Sequence, residues 1–310
     1  MSVPERPAHG VLALFGPTGV GKTQVALELA DLLRAAGERP VAVSADALQV
    51  YAGLETLTGA ASAADQARLE HRLISFLPVD ATFSVAQYAE LAHAEIDGLL
   101  DAGARPIVVG GTGLYLRAAL AELQLRPRPP DEVRQHWEEE LAVHGPAVLH
   151  ERLARRAAWA AEGIDPADRH RIVRAHALLD LGELEPPEGP NRLWTSDTRR
   201  PTRLIGLVRE REELYARIDA RVDAMLAAGV AGEVRAAQAA GASETARRAL
   251  GFDEMLAGDV EGMKRRTRNF AKRQLTWMRR LAGVELVDAT GREAPDIARE
   301  ILGSGGAARA

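Results

Sequence analysis

A chain of 310 residues and 33.3 kDa has room for about two domains and is too long to be a binding peptide. Hydrophobic residues at 46% and charged residues at 27% exclude a disordered chain, and the absence of cysteine excludes disulfide scaffolds, thiol nucleophiles and cysteine-ligated metal. The net charge of −5 means that a polyanion partner has to be met by a local basic patch, and only three of the 39 basic residues, Lys22, Lys264 and Lys272, are lysine.

The first residues (MSVPERPAHG) lack the apolar core of a signal peptide, and no run approaches the ~18 apolar residues of a membrane span, so a cytoplasmic protein is expected. Val11 to Phe15 reads as a buried strand, followed from Gly21 to Ala36 by a helix with Val25, Ala26, Leu29, Leu32 and Leu33 on one side. Pro40 to Ala45 repeats the strand, Ser84 to Leu100 the helix, Pro106 to Val109 the strand, and Leu114 to Leu120 the helix. Strands alternating with helices imply an α/β fold, a parallel sheet covered on both faces. From about Ala121 the strand-like runs stop, and Asp131 to Gly182 reads as consecutive helices. Residues 183–202 hold four prolines and form a linker or exposed loop. A strand returns at Arg203 to Val208, Glu210 to Gly283 is almost wholly helical in pattern, and a strand at Val284 to Val287 precedes a last helix from about Pro295. The division expected is a core of residues 8–120 and 200–303, a helical insert of residues 121–199, and a disordered tail of residues 304–310.

Gly16-Pro17-Thr18-Gly19-Val20-Gly21-Lys22-Thr23 fits G-x-x-x-x-G-K-[ST] between a strand and a helix, the setting in which this pattern binds phosphate. Glycines let successive N–H groups turn inward, the helix N-terminus adds partial positive charge, Lys22 neutralises terminal oxygens, and the Thr23 hydroxyl can ligate Mg²⁺. Asp46 follows the second strand, at the sheet edge where ligands of open α/β folds sit. There it could hold Mg²⁺ through water or serve as a base, the plain alternative being a cap on the next segment. Gln49 has the donor and acceptor to grip a base edge, although a surface role is the commoner one for a lone glutamine. Gly110-Gly111-Thr112-Gly113 follows the third strand and would bring Thr112 to the same cleft.

Between Lys264 and Arg280 there are eight basic residues and no acidic ones. At ~100° per residue from Lys264 the cations fall within about 0–200°, while Met263, Phe270, Trp277, Met278 and Leu281 fall within about 220–320°, with Leu275 the exception. One face is expected to pack and the other to meet a polyanion. In the insert, Arg171 and Arg174 lie one helical turn apart, opposite Ile172 and Val173. The eight histidines show no metal-ligand spacing.

These stretches resemble the tRNA dimethylallyltransferase family in order and spacing: GPTGVGKT (16–23), SADALQVYAGLE (44–55), FSVAQY (83–88), PIVVGGTGLYLRAAL (106–120), DRHRIVRA (168–175), REELYARIDARVDAML (211–226) and TRNFAKRQLTWMRR (267–280). The resemblance implies transfer of a dimethylallyl group from dimethylallyl diphosphate to N6 of the adenosine 3′ of the tRNA anticodon. Gly16 through Thr23 would hold the diphosphate, with Lys22, a Thr23-bound Mg²⁺ and Arg217 or Arg221 stabilising its charge. Asp46 would accept the N6 proton of a base flipped out of its stack, with Ala47, Leu48, Gln49 and Thr112 near that base. Arg134, His170, Arg171 and Arg174, with Lys264, Arg268 and Lys272, would hold the anticodon stem-loop of the tRNA, and the enzyme is expected to be a monomer. The chain departs from the family pattern at Ala47, Leu48, Leu57 to Ala61, Arg72 and His170. A small-molecule kinase using ATP on the same loop would leave the basic helix and the Arg-rich insert unexplained, whereas the departures near Asp46 also suit a nucleotide-gated RNA-binding module without catalysis.

Overall fold

Val11–Phe15 is apolar and buried at every position, as a strand covered on both faces must be. It opens the computed structural model, which describes residues 10–186, 189 and 192–304. In chain order the elements begin with β1 (Val11–Phe15), α1 (Lys22–Ala35), β2 (Pro40–Ala45), α2 (Glu55–Thr58), α3 (Ala63–Arg68), β3 (His71–Arg72), α4 (Val85–Asp101), β4 (Arg105–Gly110) and α5 (Gly113–Leu120). There follow α6 (Asp131–Arg156), α7 (Ala158–Glu162) and α8 (Arg169–Asp180), then β5 (Thr202–Val208) and α9 (Arg211–Ala227). The chain continues through α10 (Val230–Ala239), α11 (Glu244–Arg247), α12 (Phe252–Ala257), α13 (Val260–Arg280), β6 (Val284–Asp288) and α14 (Ala294–Ser304).

Six parallel strands form one sheet in the order β3-β2-β4-β1-β5-β6. Register decides where the motifs emerge. Phe15 pairs with Gly110, and Gly110 with Ala45, so the segments after β1, β4 and β2 leave the sheet side by side at its carboxyl edge. On one face β1, β5, α1, α9 and α14 share a core that includes Leu12, Leu29, Ile205, Ile218, Ile297 and Ile301. The sequence reading assigned no element between Ala45 and Ser84. There the chain forms α2, α3 and β3, pieces of two to six residues that are too short to show a period.

The chain divides into two compact units, Met1–Leu123 with Arg192–Ala310, and Gln124–Asn191. The second unit is therefore shorter than the insert expected at 121–199. Residues 192–200 pack with the core: Arg117 donates to the carbonyls of Arg192 (2.7 Å) and Asp197 (2.9 Å), Arg199 and Arg200 pair with Asp97, and Trp194 meets Trp277 at 4.6 Å between ring centroids. Prolines and polar residues mark a loop but do not say which body it lies on. In the second unit Trp137, Leu141, Leu149, Ile172 and Val173 form a small core of their own. Its long helix breaks at Gly145 (φ 77°), just before Pro146. At the C-terminus Ser304 ends α14. Of the disordered tail expected at 304–310, Ser304 is instead helical, and 305–310, like residues 8 and 9 of the expected core, lie outside the described residues.

Candidate active site

The phosphate loop is shaped by what its glycines avoid. Gly19 (φ 81°) and Gly21 (φ 107°) take left-handed conformations, and a Cβ on Gly16 would lie 2.9 Å from Val20 Cγ1. The Val20 side chain is fully buried in the core and anchors the loop, while α1 starts at Lys22 with its first N–H groups toward the loop. Lys22 Nζ donates to the carbonyls of Gly16 (2.8 Å) and Pro17 (3.0 Å). Burial lowers the Lys22 pKa to about 7, with Arg221 adding to the effect and Asp46 opposing it.

The loop borders a cleft of about 860 Å³ within the larger unit. Thr18, Gly19, Gly21, Lys22 and Thr23 line it from the loop, and Asp46, Leu48 and Gln49 from the end of β2. Thr112 lines it from the turn after β4, and Arg217 and Arg221 from α9. Gly16, Pro17, Val20 and Ala47 stay outside this lining; the first three shape the loop from behind. Asp46 Oδ1 accepts the Leu48 N–H at 3.0 Å, so the residue caps its own turn while still facing the cleft. Burial raises its pKa, against the Leu48 N–H, Lys22 and Arg221, which lower it. Both ends of the Gln49 amide are engaged: Ser44 Oγ donates to Oε1 at 2.9 Å, and Nε2 donates to the Gly59 carbonyl at 3.3 Å. In this arrangement Gln49 binds the loop together rather than offering an open edge to a base.

α9 turns three faces to three tasks. Leu214, Ile218 and Val222 are buried, which rotates Arg217 and Arg221 toward the cleft. Arg217 Nε donates to the Gly19 carbonyl at 2.9 Å, and Arg221 lies against Gly59 (φ 60°), where a Cβ would fall 1.6 Å from the guanidinium. The third face meets the basic helix: Asp219 pairs with Arg268 at 2.6 Å and Asp223 with Lys264 at 2.7 Å. Arg266 pairs with Glu254 at 2.7 Å. The cationic face read from α13 alone is thus partly neutralised by carboxylates from neighbouring helices, while Lys272 is exposed. Phe270 and Trp277 are only half-buried, and Leu275 packs on the core.

In the smaller unit Arg134 pairs with Glu138 (2.9 Å) and Asp131 (3.4 Å). Arg174 donates to the carbonyls of Arg126 (2.7 Å) and Pro127 (3.0 Å). His170 and Arg171 are exposed on α8, Arg171 lying 3.5 Å from Asp168.

One site residue escaped the sequence reading. Gln274, 4% exposed, accepts the Thr18 N–H on Oε1 (2.8 Å) and donates from Nε2 to the Gly111 carbonyl (2.7 Å). It joins the phosphate loop to the glycine turn. The signal was present: at ~100° per residue Gln274 falls near 280°, a polar side chain in the middle of the apolar arc.

A parallel sheet that brings a glycine-rich loop, a lysine, two arginines and a carboxylate to one cleft defines an α/β protein with a cleft suited to an anionic ligand. An IPP transferase family model matches residues 49–281. The tRNA dimethylallyltransferase of Kineococcus radiotolerans is 41% identical over 310 residues, with 96% of each chain covered. That of Thermobifida fusca is 41% identical over 283 residues, with 87% of each covered. The solved full-length tRNA isopentenylpyrophosphate transferase of Bacillus halodurans is 30% identical at a TM-score of 0.68, covering 96% of this chain and 95% of that one. A eukaryotic dimethylallyltransferase acting on tRNA shares the fold, with a TM-score of 0.74 at 22% identity over 97% of this chain and 80% of that one. The chain belongs to the IPP transferase family.

Proposed function

We propose that this chain transfers the dimethylallyl group of dimethylallyl diphosphate to N6 of the adenosine 3′ of the tRNA anticodon, releasing diphosphate. The observation that supports this most directly is one cleft holding both the phosphate loop and Asp46. In the reaction the carbon–oxygen bond of the allylic ester breaks, the N6 lone pair forms the new carbon–nitrogen bond, and the N6 proton passes to the Asp46 carboxylate. The loop N–H groups, Lys22, Arg217 and Arg221 face the charge that develops on the leaving group. Asp46 is more basic than an exposed carboxylate because it is buried, which suits a proton acceptor. Since an exocyclic amine is a poor nucleophile, holding both substrates in register is the larger task, and Gln49, Leu48 and Thr112 border the space for the base.

The Thr23 hydroxyl is a hard oxygen donor on the cleft wall at the start of α1, where it could complete the shell of a diphosphate-bound Mg²⁺. Bound there, Mg²⁺ would neutralise diphosphate charge. Lys272 in the larger unit and, in the smaller unit, Arg134, His170, Arg171 and Arg174 are the proposed tRNA ligands. Lys264 and Arg268 reach phosphate only by exchanging Asp223 and Asp219 for it. No helix among the described residues is long and apolar enough to cross a membrane. We place the enzyme in the cytoplasm as a monomer, supported by the closure of the apolar faces of α1, α9 and α14 on one core. Incubation with labelled dimethylallyl diphosphate, Mg²⁺ and unmodified tRNA tests the proposal. Label in RNA supports it, whereas tRNA binding without transfer overturns it.

A further inference from the structure

The glycine-rich loop of this chain has the same form as loops that take nucleoside triphosphates, and yet the proposed substrate carries two phosphoryl groups. We propose that Gln274 closes the outer end of the loop and makes it a receptor for two phosphoryl groups and not three. The inference rests on the prenyl diphosphate reading above, which supplies the two-phosphate ligand.

In loops of this form the backbone N–H groups cradle the inner phosphates and the lysine reaches the outermost. The lysine end is where Gln274 sits. A Cβ on Gly111 would lie 2.4 Å from Gln274 Nε2 and 3.3 Å from Lys22 Nζ, so the side-chain amide and the ammonium crowd the same point. A third phosphoryl group beyond the lysine would have to occupy that space. Gln274 Oε1 also accepts the N–H of Thr18 at 2.8 Å, standing where a phosphate oxygen would otherwise stand. Its Nε2 is committed to the Gly111 carbonyl at 2.7 Å. Displacing it would leave the Gly111 carbonyl and the Thr18 amide to be satisfied afresh, and would move a side chain that is itself 4% exposed. The neighbours one turn either side, Ala271 and Met278, are buried, so α13 holds the amide in place. Gly111 has no side chain because this closure leaves no room for one.

The test is a competition between dimethylallyl diphosphate and dimethylallyl triphosphate, each as its Mg²⁺ complex, on the full chain and on Gln274→Ala and Gln274→Asn. The prenyl end is constant, so only the number of phosphoryl groups changes. The unmodified chain is expected to prefer the diphosphate. Either variant should shift the ratio of affinities toward the triphosphate by about tenfold, the worth of roughly one hydrogen bond regained. Asparagine keeps the amide one carbon short and covers the case in which alanine does not fold. Equal affinity of the unmodified chain for the two esters, or an unchanged ratio in a variant that melts as the unmodified chain does, would overturn the inference. Transfer of label to tRNA is assayed separately, so failure of the prenyl-transfer reading registers there and not in this ratio.

Discussion

At Lys22, Asp46 and Gly59 the proposed chemistry depends on single atoms. Asp46→Asn removes the proposed proton acceptor and preserves shape, so kcat should fall by about a hundredfold to ten-thousandfold. Filter binding should find tRNA affinity unchanged, and an active variant would take Asp46 out of the base role. Lys22 has a pKa of about 7 in the free protein, far below 10.5, so above neutral pH its ammonium must be regained when an anion binds. Its charge is favoured by a diphosphate and disfavoured by burial, which fixes the sign. Pyrophosphate affinity should fall as pH rises above 7, by up to about tenfold per unit, once the curve for Lys22→Met is subtracted. A flat difference curve in calorimetric titrations would remove Lys22 from the anion site. Gly59 is glycine for two reasons, a φ of 60° and the Arg221 guanidinium at 1.6 Å from a would-be Cβ. Gly59→Ala should displace Arg221 and raise KM for the diphosphate by about tenfold, leaving KM for tRNA as it was. Equal rises in both would mean general damage to the cleft.

Among the elements, α9 and α13 work as a pair. Residues 219 and 223 on α9 and 264 and 268 on α13 are each one turn apart, so Asp219–Arg268 and Asp223–Lys264 form two rungs between the helices. The same rotation of α9 that brings these carboxylates to α13 brings Arg217 and Arg221 to the cleft. The rungs alter what salt titrations should read. Replacing Lys264 and Arg268 by alanine should leave the salt dependence of tRNA binding nearly as it was, because each cation trades one anion for another. Lys272→Ala should lower the slope by about one phosphate contact. The reverse result would return the two paired cations to the RNA surface.

For the whole molecule, the question is how the chain comes back to the sheet after its excursion through the smaller unit. Arg117 is 1% exposed and donates to the carbonyls of Arg192 and Asp197, tying the returning segment to α5. Arg117→Ala should cost about 2–3 kcal/mol in chemical denaturation, because it empties the space of a buried side chain and removes the charged donor of two part-buried hydrogen bonds. A variant as stable as the parent would show that this clamp contributes little. The same clamp explains why residues 192–199 belong to the core unit, although their polar side chains, in a stretch bounded by prolines, read as part of the insert.

The amino-acid sequence alone determined the alternation of strand and helix, the phosphate loop and the placing of Asp46 and Thr112 after their strands, since each rests on neighbours a few residues away. Burial pattern and glycine geometry are local, and they were legible. Only the tertiary structure decided which cations meet carboxylates, which glycine makes way for Arg221, and that Gln274 spans the loop and the glycine turn. Lys264 and Arg268 looked unopposed because their partners lie about 40 to 50 positions earlier, on α9. Gln274 reaches Thr18 across 256 positions. Pairings of that range follow from how helices stack on a sheet, and a helix's own sequence holds its face but not the identity of what that face will touch.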